Sequence, residues 1–229
     1  MKPEAEALVR SATARTPVPF VPEITLLTAA EPFALWEASE RDAPPFWAFP
    51  WAGGQGLARY VLDHPETVAG RSVLDVASGS GLVAIAAAKA GARTVLAGDI
   101  DANALTAIAL NAAANRTPQV TARPVDLAAA SSAVSDSWAG GEDAPGAART
   151  RNAPDVVLAA DVFYQRDLAA LALAFLRAAR RAGATVLAAD PARAFVPRSE
   201  LVPLKAYEIP VLSVLEDISV KTVTVYRLP

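Results

Sequence analysis

The sequence predicts a doubly wound α/β fold. We expect a Rossmann-like, seven-stranded sheet with a C-terminal antiparallel hairpin and an N-terminal helical extension. Three observations predict it. Short apolar runs alternate with stretches whose apolar residues recur at i, i+3, i+4, the repeat of strand and crossover helix. One run, Ser72-Val-Leu-Asp-Val76, leads directly into Ala-Ser-Gly-Ser-Gly81, a glycine turn opening a helix. Aspartates then stand at or just after the ends of successive runs: Asp75, Asp99, Asp126, Asp161 and Asp190. In an open α/β sheet the ligand lies outside the carboxyl ends of the strands, so these acids define a rim.

Residues 1–45 read as an extension. Glu4–Ala14 has helical composition, Pro17, Pro19 and Pro22 interrupt, and Thr28–Ala38 suits a short helix with Pro32 in its first turn. The main domain, 46–229, begins in a stiff aromatic segment joined to a glycine loop, Pro44-Pro-Phe-Trp-Ala-Phe-Pro-Trp-Ala-Gly-Gly-Gln-Gly56. Leu57, Tyr60 and Val61 share one face of the helix that follows. Strands are expected at Val73–Val76, Thr94–Asp99, Val120–Val125, Asp155–Ala160 and Ala184–Ala189. Helices are expected at Gly81–Lys89, Ala102–Ala114 and Gln165–Ala182. The last carries the stripe Leu168, Leu171, Ala172, Phe175, Leu176 and stops at Gly183. Val202–Val211 and Ser219–Leu228 have no helix pattern between them and suit an antiparallel edge pair. Residues 128–154, rich in Ala, Ser, Gly, Asp and Pro, read as a long insertion, with Trp138 as its odd member.

Composition excludes several chemistries. The 229 residues contain no cysteine, so disulfides, thiolate metal sites and a Cys nucleophile are ruled out, and no metal site is expected. The one histidine, His64 in Asp-His-Pro-Glu66, reads as a helix-end residue rather than a catalytic base. A net charge of −3 gives no field for nucleic acid. No apolar run reaches membrane-spanning length and no signal core opens the chain, so a cytoplasmic protein, expected to be a monomer, is the default.

The glycine turn with Asp99 twenty residues after Gly79 reads as a nucleotide half-site. Free helix-start N–H groups and a tight turn admit a ligand to the backbone, and the later acid can grip a ribose diol. Gly79-Ser-Gly81-Leu-Val-Ala84 also matches the dinucleotide pattern of dehydrogenases. Asp75, inside a strand that is usually apolar there, and the lack of a second mononucleotide half weigh against that reading. A glycine turn that only packs strand on helix is the bland alternative.

Asp75-Val-Ala-Ser-Gly-Ser-Gly81 resembles the D-x-G-x-G-x-G signature of seven-β-strand S-adenosylmethionine methyltransferases. Ala77 replaces the first glycine, which an extended backbone would tolerate. Pro45–Tyr60 and Ala160-Asp-Val-Phe-Tyr-Gln-Arg-Asp-Leu168 resemble the lysine methyltransferase family of the electron transfer flavoprotein β subunit, as do Val21–Leu26 and Leu35-Trp36. The resemblance implies S-adenosyl-L-methionine held by Trp51, Asp75, Ala77, Ser78, Gly79, Gly81, Asp99, Ile100, Asp126 and Leu127. It implies that Asp161, Phe163 and Tyr164 face the reacting centre, and that the substrate is a lysine of a protein such as that β subunit. Methyltransferases of amide or nucleobase nitrogen carry a proline pair inside the corresponding tetrad; Val162 and Phe163 argue for an aliphatic amine. A small-molecule, nicotinamide-like substrate, a ribosomal protein, and a noncatalytic module on the cofactor fold remain open alternatives.

Overall fold

The computed structural model describes residues 3–31, 35–37, 44–129, 153–211 and 219–229. Pro3–Ala12 forms α1, with Glu4 and Glu6 in its first turn and Arg10 in its last, each on the favourable end of the helix dipole. It buries Ala5 and Val9 and leaves Leu8 exposed.

The extension is not purely helical. Thr13–Val18 (β1) and Val21–Ala29 (β2) pair antiparallel as a hairpin. The prolines expected to interrupt the chain sit in or beside these strands. A two-stranded ribbon has only edges, where a missing N–H costs little. Alternation supplies the rest: Val18, Val21, Ile24 and Leu26 are buried together against Leu82, Ile85 and Ala86. Of the short helix expected over Thr28–Ala38, Thr28 and Ala29 belong to β2 and Leu35–Glu37 form a helical turn. Ala30 and Glu31 form a bend, and Pro32 and the rest of that expected helix lie outside the described residues, as do Trp138 and residues 130–152 of the insertion.

A 3₁₀ turn at Phe46–Ala48 leads into α2, Ala52–Asp63. His64 sits at the C-cap of α2, its backbone N–H donating to the Tyr60 carbonyl, in line with the helix-end reading. The sheet follows as β3 (Ser72–Val76), β4 (Thr94–Asp99), β5 (Val120–Pro124), β6 (Val156–Ala160), β7 (Thr185–Asp190), β8 (Val202–Pro210) and β9 (Val220–Leu228). Between them lie α3 (Leu82–Lys89), α4 (Ala102–Ala114) and α5 (Arg166–Arg181). Every sheet element lies within about two residues of its expected bounds, as fits strong local periodicity.

Strand order is β5-β4-β3-β6-β7-β9-β8. The first five strands pair parallel, and β9 pairs antiparallel with both β7 and β8. The chain winds outward from β3 to β5, then returns to β6 on the other side of β3. That reversal opens a crevice at the carboxyl ends of β3 and β6.

The central strands are buried on both faces, which is why they read as continuous apolar runs. Leu74, Val76, Val157, Ala159, Val186 and Ala188 pack on Phe175 and Leu176 of α5. Val73, Val95, Val156, Leu158 and Leu187 pack on Leu57 and Val61 of α2 and on Val83, Ala84 and Ala87 of α3. Alanine dominates α3, so helix and sheet approach closely. Asn111 of α4 is wholly buried and bonds over long range. Its Oδ1 accepts from Leu27 N–H at 2.8 Å and its Nδ2 donates to the Ser80 carbonyl at 2.8 Å. One side chain thereby ties the hairpin to the glycine turn.

Candidate active site

Strand order sets the acids along one rim in the sequence Asp126, Asp99, Asp75, Asp161, Asp190. The central members are electrostatic neighbours: Asp99 raises Asp75, Asp161 raises Asp190, and Tyr164 responds to both Arg193 and Asp99. The acids therefore share one end of the sheet, with the switch point between Asp75 and Asp161.

Its first half is the turn after β3. Ser78 N–H donates to the Gly98 carbonyl at 3.0 Å and Gly81 N–H to Ser78 O at 2.9 Å. Gly79 and Gly81 adopt φ of +55° and +83°, the left-handed region. Ala77 does so too, at φ +50°, so the expectation of an extended backbone there is corrected. An alanine held left-handed is strained by about 1 kcal/mol. We therefore expect Ala77→Gly to raise stability by roughly 0.5–1 kcal/mol, the relief being partly offset by the looser unfolded chain. Urea denaturation checks this, and an unchanged or lower midpoint would refute it.

Asp99 closes this turn from above. Its Oδ2 accepts from Gly79 N–H at 2.9 Å and its Oδ1 from Asp101 N–H at 3.0 Å. Burial pushes its carboxyl up and those amides pull it back. Each oxygen keeps acceptor capacity, which suits a diol. Ile100, next in the chain, is 75% exposed, an unpartnered apolar side chain at the rim and a fitting face for a purine. Asp126 is exposed, and its Oδ1 accepts from Ala128 N–H.

Two members of the predicted cofactor set point elsewhere. Asp75 is 2% exposed and lies beneath the turn. Its Oδ2 accepts from Ser78 Oγ at 2.5 Å and from Ala84 N–H at 3.1 Å, locking turn to helix from below. Burial pushes its carboxyl up to about 7. Leu127 is buried in the core with Leu74 and Val76. Asp75 supports the turn and Leu127 fills the core, so neither side chain is open to a ligand.

The second half is built by two segments 107 residues apart. Asp161, in the turn after β6, has φ +58°. Its Oδ2 accepts from Gly54 N–H, in the first turn of α2, at 2.8 Å. The carboxylate thus sits at a helix N-terminus, where free N–H groups and the dipole favour negative charge. The glycines make this approach possible. A Cβ on Gly53 would lie 2.6–2.8 Å from all three carboxyl atoms of Asp161. The tryptophan-glycine segment and the Asp161 turn are one device. Asp161 caps α2, not the helix that follows it in sequence.

Trp51 is the N-cap residue of α2. Its Nε1 donates to the Phe46 carbonyl at 2.9 Å, and its ring packs on Phe46 and Phe49 at 5.6 and 5.8 Å. Phe46 in turn packs on Tyr164 at 5.2 Å. These rings wall the crevice near Asp161. Burial raises the Tyr164 hydroxyl, so it is a neutral phenol at physiological pH. Phe163 is corrected: it is wholly buried with Val162 and Phe175, holding the turn from behind rather than facing a substrate. A separate cavity of about 220 Å³ lies beside Trp51, between Val18, Ala29, Pro50 and Val211, away from the glycine turn.

Sequence reasoning missed Arg193. Its Nη1 donates to Asp161 Oδ1 at 2.5 Å and reaches Asp190 Oδ2 at 3.5 Å, while its backbone N–H donates to Asp190 Oδ1 at 2.7 Å. Asp190, one of the strand-end acids, is wholly buried. The available signal was an arginine three residues beyond a strand-end acid.

The site therefore offers a backbone cradle with a diol acceptor on one side and a doubly hydrogen-bonded carboxylate in an aromatic wall on the other. That suits a nucleoside ligand beside an amine. Comparison with known proteins agrees. The family model described as ribosomal protein L11 methyltransferase (PrmA) matches residues 59–136. The chain is 36% identical over 186 residues to the electron transfer flavoprotein beta subunit lysine methyltransferase of Xenopus laevis, covering 80% of this chain and 68% of that protein. It is 33% identical over 185 residues to the Caenorhabditis elegans homologue, covering 78% and 73%. To the human enzyme it is 40% identical over 135 residues, 59% of this chain and 43% of that protein. Among solved structures, TrmN from Thermus thermophilus superposes with a TM-score of 0.52 at 21% identity, covering 75% of this chain and 48% of that one. A Thermoplasma acidophilum protein superposes at 0.50 with 17% identity, covering 76% and 83%. The last two speak to the fold alone.

Proposed function

The chain belongs to the electron transfer flavoprotein β-subunit lysine methyltransferase family, and from that membership we propose that it methylates a lysine ε-amine of a protein, that β subunit being the first candidate. S-adenosyl-L-methionine is the methyl donor, and it supplies an electrophilic methyl on a sulfonium. The Ala77–Gly81 turn and Asp99 would hold its amino-acid and ribose parts, with Ile100 against the base.

The observation that carries the reading is the Asp161 carboxylate, tethered by Gly54 and Arg193 and walled by Phe46, Trp51 and Tyr164. A free lysine has a pKa of about 10.4, so roughly one in 10³ is neutral near pH 7. A neighbouring sulfonium and partial desolvation both lower that pKa. Asp161 accepts an N–H hydrogen bond from the amine and directs its lone pair. Rate then comes from alignment of nitrogen, methyl and sulfur. The turn carries Val162 and Phe163, both buried, where recognition of a planar amide calls for outward acceptors.

The match to the L11 methyltransferase model ends at residue 136 and begins at 59, so it covers the cofactor half and neither the Trp51 segment nor the Asp161 turn. The flavoprotein reading is favoured over the ribosomal one by relatives that are 33–36% identical over 78–80% of this chain. The test is incubation with methyl-labelled S-adenosylmethionine, purified flavoprotein β subunit and purified ribosomal protein L11. Label on a lysine of the β subunit supports the proposal. Label confined to L11 or to small molecules rejects it. Among the described residues no helix is long and apolar enough to cross a membrane.

A further inference from the structure

We infer that Arg193 is a positioning residue for methyl transfer: wedged between Asp190 and Asp161, its guanidinium holds the Asp161 carboxylate against the Gly54 amide, in the orientation that meets an incoming amine. The inference rests on the lysine methyltransferase reading and assigns a role to a residue outside the motifs that define it.

The chain of support runs inward from a buried anchor. Asp190 ends β7 and its side chain is wholly buried. A buried carboxylate requires a partner of opposite charge and hydrogen bonds to both oxygens. Arg193 supplies the charge and two of the bonds, its backbone N–H to Oδ1 at 2.7 Å and Nη1 toward Oδ2 at 3.5 Å. Asp190 thereby sets where the guanidinium lies. The same Nη1 then reaches across to the neighbouring strand end and donates to Asp161 Oδ1. Asp161 Oδ2 is taken by Gly54 N–H. The carboxylate is held at both oxygens from two directions, one of them a helix N-terminus and the other a guanidinium.

Charge balance supports this. Asp161 and Asp190 lie close enough for Asp161 to raise the Asp190 carboxyl, and Arg193 opposes that rise. Arg193 stands between the two carboxyl groups as their shared cationic partner. Without Arg193 the Asp161 carboxyl, in a turn held at φ +58°, keeps one of its two tethers, the Gly54 N–H. The side chains of Arg193 and Asp161 are 20% and 15% exposed, so the pair lines the crevice wall while staying largely dry. Nη1 contacts both acids, and a lysine ammonium, with its three donors, keeps a cation between them.

The test compares Arg193→Gln and Arg193→Lys in the full chain. The first measurement needs no substrate: the Gly54 amide resonance reports its hydrogen bond to Asp161. In Arg193→Gln we expect that signal to move upfield, as an amide losing an ionic acceptor does, and in Arg193→Lys to return toward the wild-type position. The second is steady-state methylation of the flavoprotein β subunit. We expect kcat to fall roughly 10- to 100-fold in Arg193→Gln with an unchanged KM for S-adenosylmethionine, and to recover largely in Arg193→Lys. An unmoved Gly54 signal in Arg193→Gln overturns the inference, as does equal impairment of both variants. So does a loss of cofactor affinity that matches the loss of kcat. If the wild-type protein leaves the β subunit unmethylated, the substrate reading fails, and the Gly54 signal alone decides the positioning role.

Discussion

Asp161→Ala should lower kcat by on the order of 10²- to 10³-fold, the effect of deleting a preorganised hydrogen-bonding group at a reacting centre. Cofactor affinity, read by calorimetry, should stay close to wild type. Asp161 makes its polar contacts with Gly54 and Arg193, and the glycine turn with Asp99 is a separate set of bonds. A companion variant makes the prediction sharper. Gly53→Ala places a methyl within 2.6–2.8 Å of the Asp161 carboxyl atoms, so the carboxylate has to move. It should reproduce much of the loss without touching an acid. Near-normal turnover in both variants would sink the assignment of Asp161. Normal turnover in Gly53→Ala alone would show that the carboxylate tolerates displacement.

The second large effect concerns stability and pH. The Asp75 carboxyl is raised to about 7 in the fold by burial, against an ordinary 3.8. Between those two values the folded chain keeps a proton that the unfolded chain has released. Folding is therefore favoured at the acidic end of the window and loses stability as pH rises toward 7, with no further change above it. At about 1.4 kcal/mol per pH unit, the contribution across the window is on the order of a few kcal/mol. Asp99 and Asp190 are also raised by burial and act in the same direction. Asp75→Asn should remove the Asp75 share. The amide oxygen can still accept from Ser78 and Ala84, both of which bond one carboxyl oxygen. We expect the variant to be more stable than wild type at pH 8, and its stability to fall less between pH 5 and pH 8. Parallel urea-denaturation profiles for the two proteins across that range would contradict the buried-acid account.

Both predictions use residues that were visible in the chain, but in roles that were only partly visible. Asp75 reads as a ligand contact because it precedes a glycine turn. It is a buried lock, because alternation along β3 turns it toward α3. Asp161 reads as the acid after a strand, and it is. What sequence could not supply is its partners, Gly54 and Arg193, which lie 107 residues before it and 32 after it. Phe163 shows the converse: adjacency to Asp161 suggests a shared role, while the turn sends its ring into the core.

Local order was legible because it repeats over a few residues. The i, i+3, i+4 stripe of α5, the apolar runs of β3 to β7, the stop at Gly183 and the glycine turn each declare themselves within a short window. From these the sequence alone determined the α/β class, the element bounds and the end of the sheet where the acids lie. Tertiary structure decided the rest: the strand order, the β1–β2 hairpin, the inward turn of Asp75, Phe163 and Asn111, and the junction of Gly53, Asp161, Arg193 and Asp190. These depend on which distant surfaces meet, and the energy of such meetings comes from burial and charge pairing between segments whose separation no local period records.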